Sequence, residues 1–213
     1  MKVIPVINCP DVDCVRKKIE IAKTFLQEGD LLHLDVTDGS FSSHMTWADP
    51  LAWVDLKSPF GLEVHLMVDH PEQYIDNWLT AGARRLIVHA ESLNAQSLHE
   101  ILGAGRQRGV EVMLSSKPES EIEDIEHYCK HFKSFQVLAV PPGPAGQLYL
   151  PFIDDKIRFL REEFPNATIE VDGGMSPLTV WRVKELGADT IVSSSYIFNS
   201  ADPKKAYEEL TNI

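Results

Sequence analysis

Cationic side chains are in short supply: Lys and Arg total 20 against 32 Asp and Glu, a formal net charge of −12 at pH 7. Proteins that neutralise nucleic-acid or anionic-membrane phosphates need clustered positive charge, so this balance excludes both as partners. No apolar run approaches the roughly 20 residues needed to span a bilayer. Met1-Lys2 leads straight into an apolar strand-like run without a charged n-region, h-region or cleavage site, which predicts a cytoplasmic protein. Cysteine is scarce. Cys9, Cys14 and Cys129 are odd in number and show no metal or disulfide spacing, so they read as small half-buried hydrophobes in a reducing compartment. Also absent are Ser/Pro/Gly linkers and low-complexity tracts, so the 213 residues, 44% of them hydrophobic, are expected to form one domain over 1–213.

What is present is alternation. Strand-like runs occupy 2–8, 30–36, 61–67, 84–90, 110–115, 134–140, 168–171 and 189–193, with segments of helical period between them. Such segments include Val12 to Glu28, Pro71 to Ala81, Glu119 to His131 and Ser176 to Leu186, with Gly29, Gly82, Gly109 and Gly187 placed as C-caps before the next strand. Eight strand-helix repeats favour parallel pairing with right-handed crossovers, and eight strands can close and abolish their edges. The predicted fold is therefore an α/β protein of the (β/α)8 TIM-barrel type, with a doubly wound open sheet as the runner-up.

In such a barrel the chemistry belongs at the C-terminal ends of the strands. His33 and Asp35 end the second run, His65 and Met67 the third, His89 and Glu91 the fourth; Lys117 follows the fifth and Asp172 ends the seventh. Residues two apart on a strand share a face, so His33 and Asp35 point together into the barrel mouth beside His65, and Asp172 arrives from the opposite wall. Two imidazoles and two carboxylates make a mixed nitrogen and oxygen donor set that suits Zn, Mn, Fe or Co better than Ca or Mg. A histidine at a strand end is also often a hydrogen-bonded structural residue, and pattern alone leaves that alternative open.

The blocks HLDVTDGSF (33–41), LEVHLMVDHPEQYIDNWLTAGARRLIVHAES (62–92), GPAGQ (143–147), EVDGG (170–174) and GADTIVSSSYIF (187–198) together resemble the ribulose-phosphate 3-epimerase family. The likeness runs in register from about Pro5 to Leu210. It implies a ribulose-phosphate-binding barrel, an isomerase of the pentose phosphate pathway and a homo-oligomer. It also implies a divalent metal held by His33, Asp35, His65 and Asp172, with Asp35 and Asp172 doubling as acid and base. The reaction implied is epimerisation at carbon 3 of a ketose phosphate, ribulose 5-phosphate to xylulose 5-phosphate, through an enediolate. Substrate and phosphate contacts would fall on Met67, Gly143, Ala145, Gly146, Gly173, Gly174, Ser194 and Ser195, with Lys117 and His89 as further candidates.

Several positions depart from the family pattern. Val6 stands where a substrate-contacting serine is expected, Thr37 replaces a methionine, and Pro144 and Ala145 replace an aromatic and a glycine. Ser194 replaces a glycine, Lys117 an asparagine and His44 an asparagine. Pro144 cannot donate an N–H to a phosphate. These changes surround the expected substrate and leave three alternatives: epimerisation of another ketose phosphate such as a hexulose 6-phosphate, a lyase on the same scaffold, or a non-catalytic barrel. The remaining histidines, His70, His99, His127 and His131, are expected to face solvent.

Overall fold

A computed structural model describes residues 1–213. Eight parallel strands close into a barrel in sequence order: β1 (Lys2–Ile7), β2 (Leu31–Thr37), β3 (Gly61–Met67), β4 (Ala83–His89), β5 (Glu111–Ser116), β6 (Ser134–Leu138), β7 (Thr168–Asp172) and β8 (Thr190–Ser193). The helices are α1 (Val12–Ala22), α2 (Pro50–Asp55), α3 (Glu72–Thr80), α4 (Ala95–Arg108), α5 (Ile122–Cys129), α6 (Asp154–Glu163), α7 (Pro177–Glu185), α8 (Ser195–Phe198) and α9 (Pro203–Thr211). None is long and apolar enough to cross a membrane.

Strand alternation sorts the side chains into two populations. Leu32, Leu34, Leu62, Val64, Leu86, Val137, Ile169 and Ile191 face outward and join one core cluster with the helices, where Trp78, Ile101, Ile157 and Val183 are fully or almost fully buried. The inward set is mixed: Ile4, Val6 and Val192 form a separate small cluster, while Glu63, Gln136 and Glu170 are buried polar residues in a barrel interior that branched apolar side chains usually fill. Register sets His33 beside Glu63 and Asp35 beside His65 across β2 and β3, and Glu63 beside Arg85 across β3 and β4.

Three expectations need correction. The helix beginning at Val12 ends at Ala22 rather than Glu28; the Thr24 hydroxyl donates to the Ile21 carbonyl, and tight turns deliver Leu26 to the core. Gly29 consequently caps no helix, whereas Gly109 closes α4 in the left-handed region and Gly82 and Gly187 follow the ends of α3 and α7 with positive φ. Cys9 and Cys14 form a disulfide with a Cα–Cα separation of 5.7 Å, and only Cys129 is free. The cause is local: Asp11 caps α1 by accepting from Cys14 N, which turns the first helical turn back onto the end of β1 and brings the two Cα atoms into bridging range.

Candidate functional site

Side chains from β2, β3 and β7 converge at the barrel mouth. One donor atom from each of His33, Asp35, His65 and Asp172 lies within 4.8 Å of the others, and all four residues are buried or nearly so. His33 offers Nε2, 3.2 Å from Asp35 Oδ1. His65 offers Nδ1, 3.4 Å from Asp35 Oδ1 and 3.3 Å from Asp172 Oδ2, yet aligned with neither, so this buried nitrogen has no hydrogen-bond partner. Buried polar atoms are rarely left unpaired. A nitrogen aimed between two carboxylates, with a second imidazole beside it, fits a bound divalent transition metal, whose charge both carboxylates would balance.

The electrostatics point the same way. Burial works against the charged form of His33, but hydrogen bonds and charge from Asp35 and Glu63 outweigh it and hold its pKa well above the ordinary imidazole value. At His65 burial is likewise overcome, by Asp172 and Asp35, and the pKa rises. Burial alone would raise Asp35; contacts with His33 and His65 reverse that and hold it ionised. The pocket thus stabilises positive charge at its centre.

Each imidazole is backed by its own relay. His33 Nδ1 lies 2.7 Å from Glu63 Oε1, and Arg85 Nη1 donates to Glu63 Oε2 at 2.6 Å. Arg85 also pairs with Glu111 at 2.8 Å and approaches Glu170 at 3.5 Å. Burial and the neighbouring Glu63 push Glu170 up to about 8, against the opposing pull of His33 and Arg85. On the other side His65 Nε2 lies 2.8 Å from His89 Nε2. Burial, with His65 and Lys117 opposing charge, lowers His89 to about 4 despite the pull of Glu91, so His89 is neutral and accepts from His65 Nε2–H. Its own Nδ1 then faces Glu91 Oε2 at 3.4 Å, and Glu91 is held by Lys117 N and by the Ser120 hydroxyl. Such outer contacts fix the tautomer and orientation of metal-ligating histidines.

Glu63, Arg85 and Asn8 escaped the sequence reading. Asn8 Nδ2 donates to Asp35 Oδ2 at 2.9 Å and to the Gly143 carbonyl at 3.2 Å, while its Oδ1 lies 3.1 Å from His44 Nε2. The strand period that paired His33 with Asp35 also puts Asn8 on the inward face of its chain, two residues beyond Val6.

A cleft opens above the cluster. Asp35, Asp172 and Met67 line it together with Gly143, Ala145, Gly146, Gly173, Gly174, Ser194 and Ser195. Gly173 and Gly174 have φ of +106° and +69°, and an added Cβ would strike Val140 and the Tyr149 backbone respectively, so glycine alone lets this backbone pass. Val6 lies beneath the cleft, packed with Ile4 and Val192. Thr37 turns its hydroxyl to the His44 carbonyl and pins the 39–47 loop. Lys117 rests its ammonium 3.7 Å from the Phe41 ring centroid and is absent from the cleft lining.

Residues 3–198 match the model of the ribulose-phosphate 3 epimerase family. A ribulose-phosphate 3-epimerase of Schizosaccharomyces pombe is 31% identical over 198 residues, covering 91% of this chain and 86% of its own. A rice protein named as the cytoplasmic isoform of that enzyme is also 31% identical, covering 85% and 81%. Among solved structures, a 3-hexulose-6-phosphate synthase from Salmonella typhimurium superposes with a TM-score of 0.73 over 100% of this chain and 97% of its own, at 15% identity, a likeness of fold.

Proposed function

The chain belongs to the ribulose-phosphate 3-epimerase family and is an isomerase of that kind, and from that premise we propose that it epimerises carbon 3 of a ketose phosphate, ribulose 5-phosphate to xylulose 5-phosphate, in the cytoplasm. The observation that carries this reading is the convergence of Asp35 and Asp172, both lining the cleft, on the unpartnered Nδ1 of the buried His65.

A proton beside a ketone is too weakly acidic for an unaided carboxylate to remove. A divalent cation such as Zn, Mn, Fe or Co, held by His33, Asp35, His65 and Asp172, would supply the Lewis-acid stabilisation that the developing enediolate charge requires. This chain's own residues do the rest. Asp35, kept ionised by His33 and His65, and Asp172, on a strand not adjacent to β2, provide one proton-transfer group for each face of the enediolate. One takes the carbon 3 proton and the other delivers a proton from the far side, the roles exchanging with the direction of reaction. Met67 offers an aprotic, polarizable wall beside them. The phosphate would seat on backbone N–H groups of residues 143–146 and 173–174 and on Ser194 and Ser195, in the loops after β6, β7 and β8.

Incubating the enzyme with ribulose 5-phosphate in deuterated water tests the proposal. Deuterium should enter carbon 3, and Asp35→Asn and Asp172→Asn should each abolish that exchange. Full exchange in either variant rejects the two-base assignment. A hexulose 6-phosphate in the same assay tests the alternative substrate, favoured by the altered surroundings of Val6, Pro144 and Ser194.

A further inference from the structure

The cleft has an electrostatic imbalance. Its lining contains two carboxylates, Asp35 and Asp172, and no Lys, Arg or His, although the proposed substrate is an anion and Pro144 withholds one backbone N–H from the phosphate end. Directly behind that end lies Lys18, on the inner side of α1. Its ammonium donates to Ser194 Oγ at 3.1 Å and to the Asn8 carbonyl at 3.3 Å, and both partners line the cleft. Ser194 in turn donates to the Val6 carbonyl at 3.0 Å, so its hydroxyl proton is spent and its oxygen is oriented by the lysine. Phe198 covers another side of the ammonium, 4.9 Å from the ring centroid. Lys18 is half-buried, and no carboxylate comes within ion-pairing distance of it.

A partly buried cation without a paired anion is costly to keep. Lysine offers three donors, and two are accounted for. Burial pulls the Lys18 pKa down to about 8, against the opposing pull of Asp35, as expected of an ammonium whose counter-charge is missing from the protein itself.

We propose that Lys18 supplies the positive charge of the anion end of the cleft, acting across Ser194 to position that residue and to select a phosphorylated substrate. This rests on the reading that the cleft takes a ketose phosphate, but inorganic phosphate probes it independently. Phosphate is titrated calorimetrically into the metal-loaded parent, Lys18→Met and Lys18→Arg, with metal content checked to be equal. Loss of one partly screened charge a few ångströms away should weaken phosphate about 10- to 100-fold in Lys18→Met. Lys18→Arg should restore most of the affinity, and added salt should narrow the gap. With the ketose phosphate, KM should rise by a similar factor while kcat changes little, a split that general loosening of the barrel does not produce. Unchanged phosphate affinity in folded Lys18→Met overturns the proposal; if that variant does not fold, Lys18→Gln carries the same comparison. A parent that binds phosphate in a Lys18-dependent way yet exchanges no carbon 3 proton would sink the epimerase reading and leave this one standing.

Discussion

Replacing Glu63 by Gln isolates what the inner relay contributes. Glu63 is fully buried and uses its two carboxylate oxygens on two donors, His33 Nδ1 at 2.7 Å and Arg85 Nη1 at 2.6 Å. A glutamine of the same shape has one acceptor oxygen and one NH2, so whichever way it turns, one donor now meets another donor. Breaking a buried charge pair outright costs about 3–5 kcal/mol, but Arg85 keeps its ion pair with Glu111, so a loss of about 1–3 kcal/mol in folding stability is expected. The effect on the site should be separable from that. Outer-contact substitutions at metal-binding histidines typically cost about 10- to 100-fold in affinity, and His33 would lose the contact that fixes which nitrogen faces the cluster. Chelator competition on the folded variant measures the metal dissociation constant, and thermal unfolding measures the stability. Metal affinity within about twofold of the parent would refute the argument that this relay orients His33.

Further outcomes follow from other parts of the same geometry. His89→Leu removes the acceptor for His65 Nε2–H and should weaken metal binding about tenfold or more, whereas His89→Gln, which can place an oxygen near the same position, should be milder; equal affinities in the two variants would exclude His89 as an orienting partner. Gly174→Ala forces a left-handed residue to carry a Cβ into the Tyr149 backbone, and unfolding should shift down by about 2 kcal/mol or more. An unchanged melting curve would mean that the 173–174 backbone is not held as described. Thiol titration of denatured, unreduced protein should find one thiol, Cys129, rising to three on reduction. In the chain-entropy view Cys9→Ser should lower stability by roughly 2 kcal/mol, and three thiols before reduction would dismiss the bridge.

The strands were readable because each is a short β-rich run set off from a helical period; β3 spans 61–67 as expected, and the other boundaries moved by no more than a residue or two. His33 and Asp35 share a face by local geometry, so their convergence required only that β2 be a strand. Glu63 and Arg85 lack such a local sign. A charged residue at alternate positions of a strand usually looks outward to solvent, and only the β2–β3–β4 register sets Glu63 against His33 and Arg85 against Glu63. The disulfide was hidden for the opposite reason: five residues of separation say little until the Asp11 cap bends the chain. Asn8 was missed because its role depends on a loop more than a hundred residues away, at Gly143.

One feature of the barrel bears on how such a protein diversifies. The donors of the charged cluster stand on β2, β3 and β7, whereas most of the unusual residues, Val6, Pro144 and Ser194 among them, belong to β1 and to the loops after β6 and β8. Under the proposed function, reactivity and molecular choice would thereby be written on largely separate staves of one cask. Mutational drift in the second group would then try out new substrates without dismantling the cluster proposed to make any of them react.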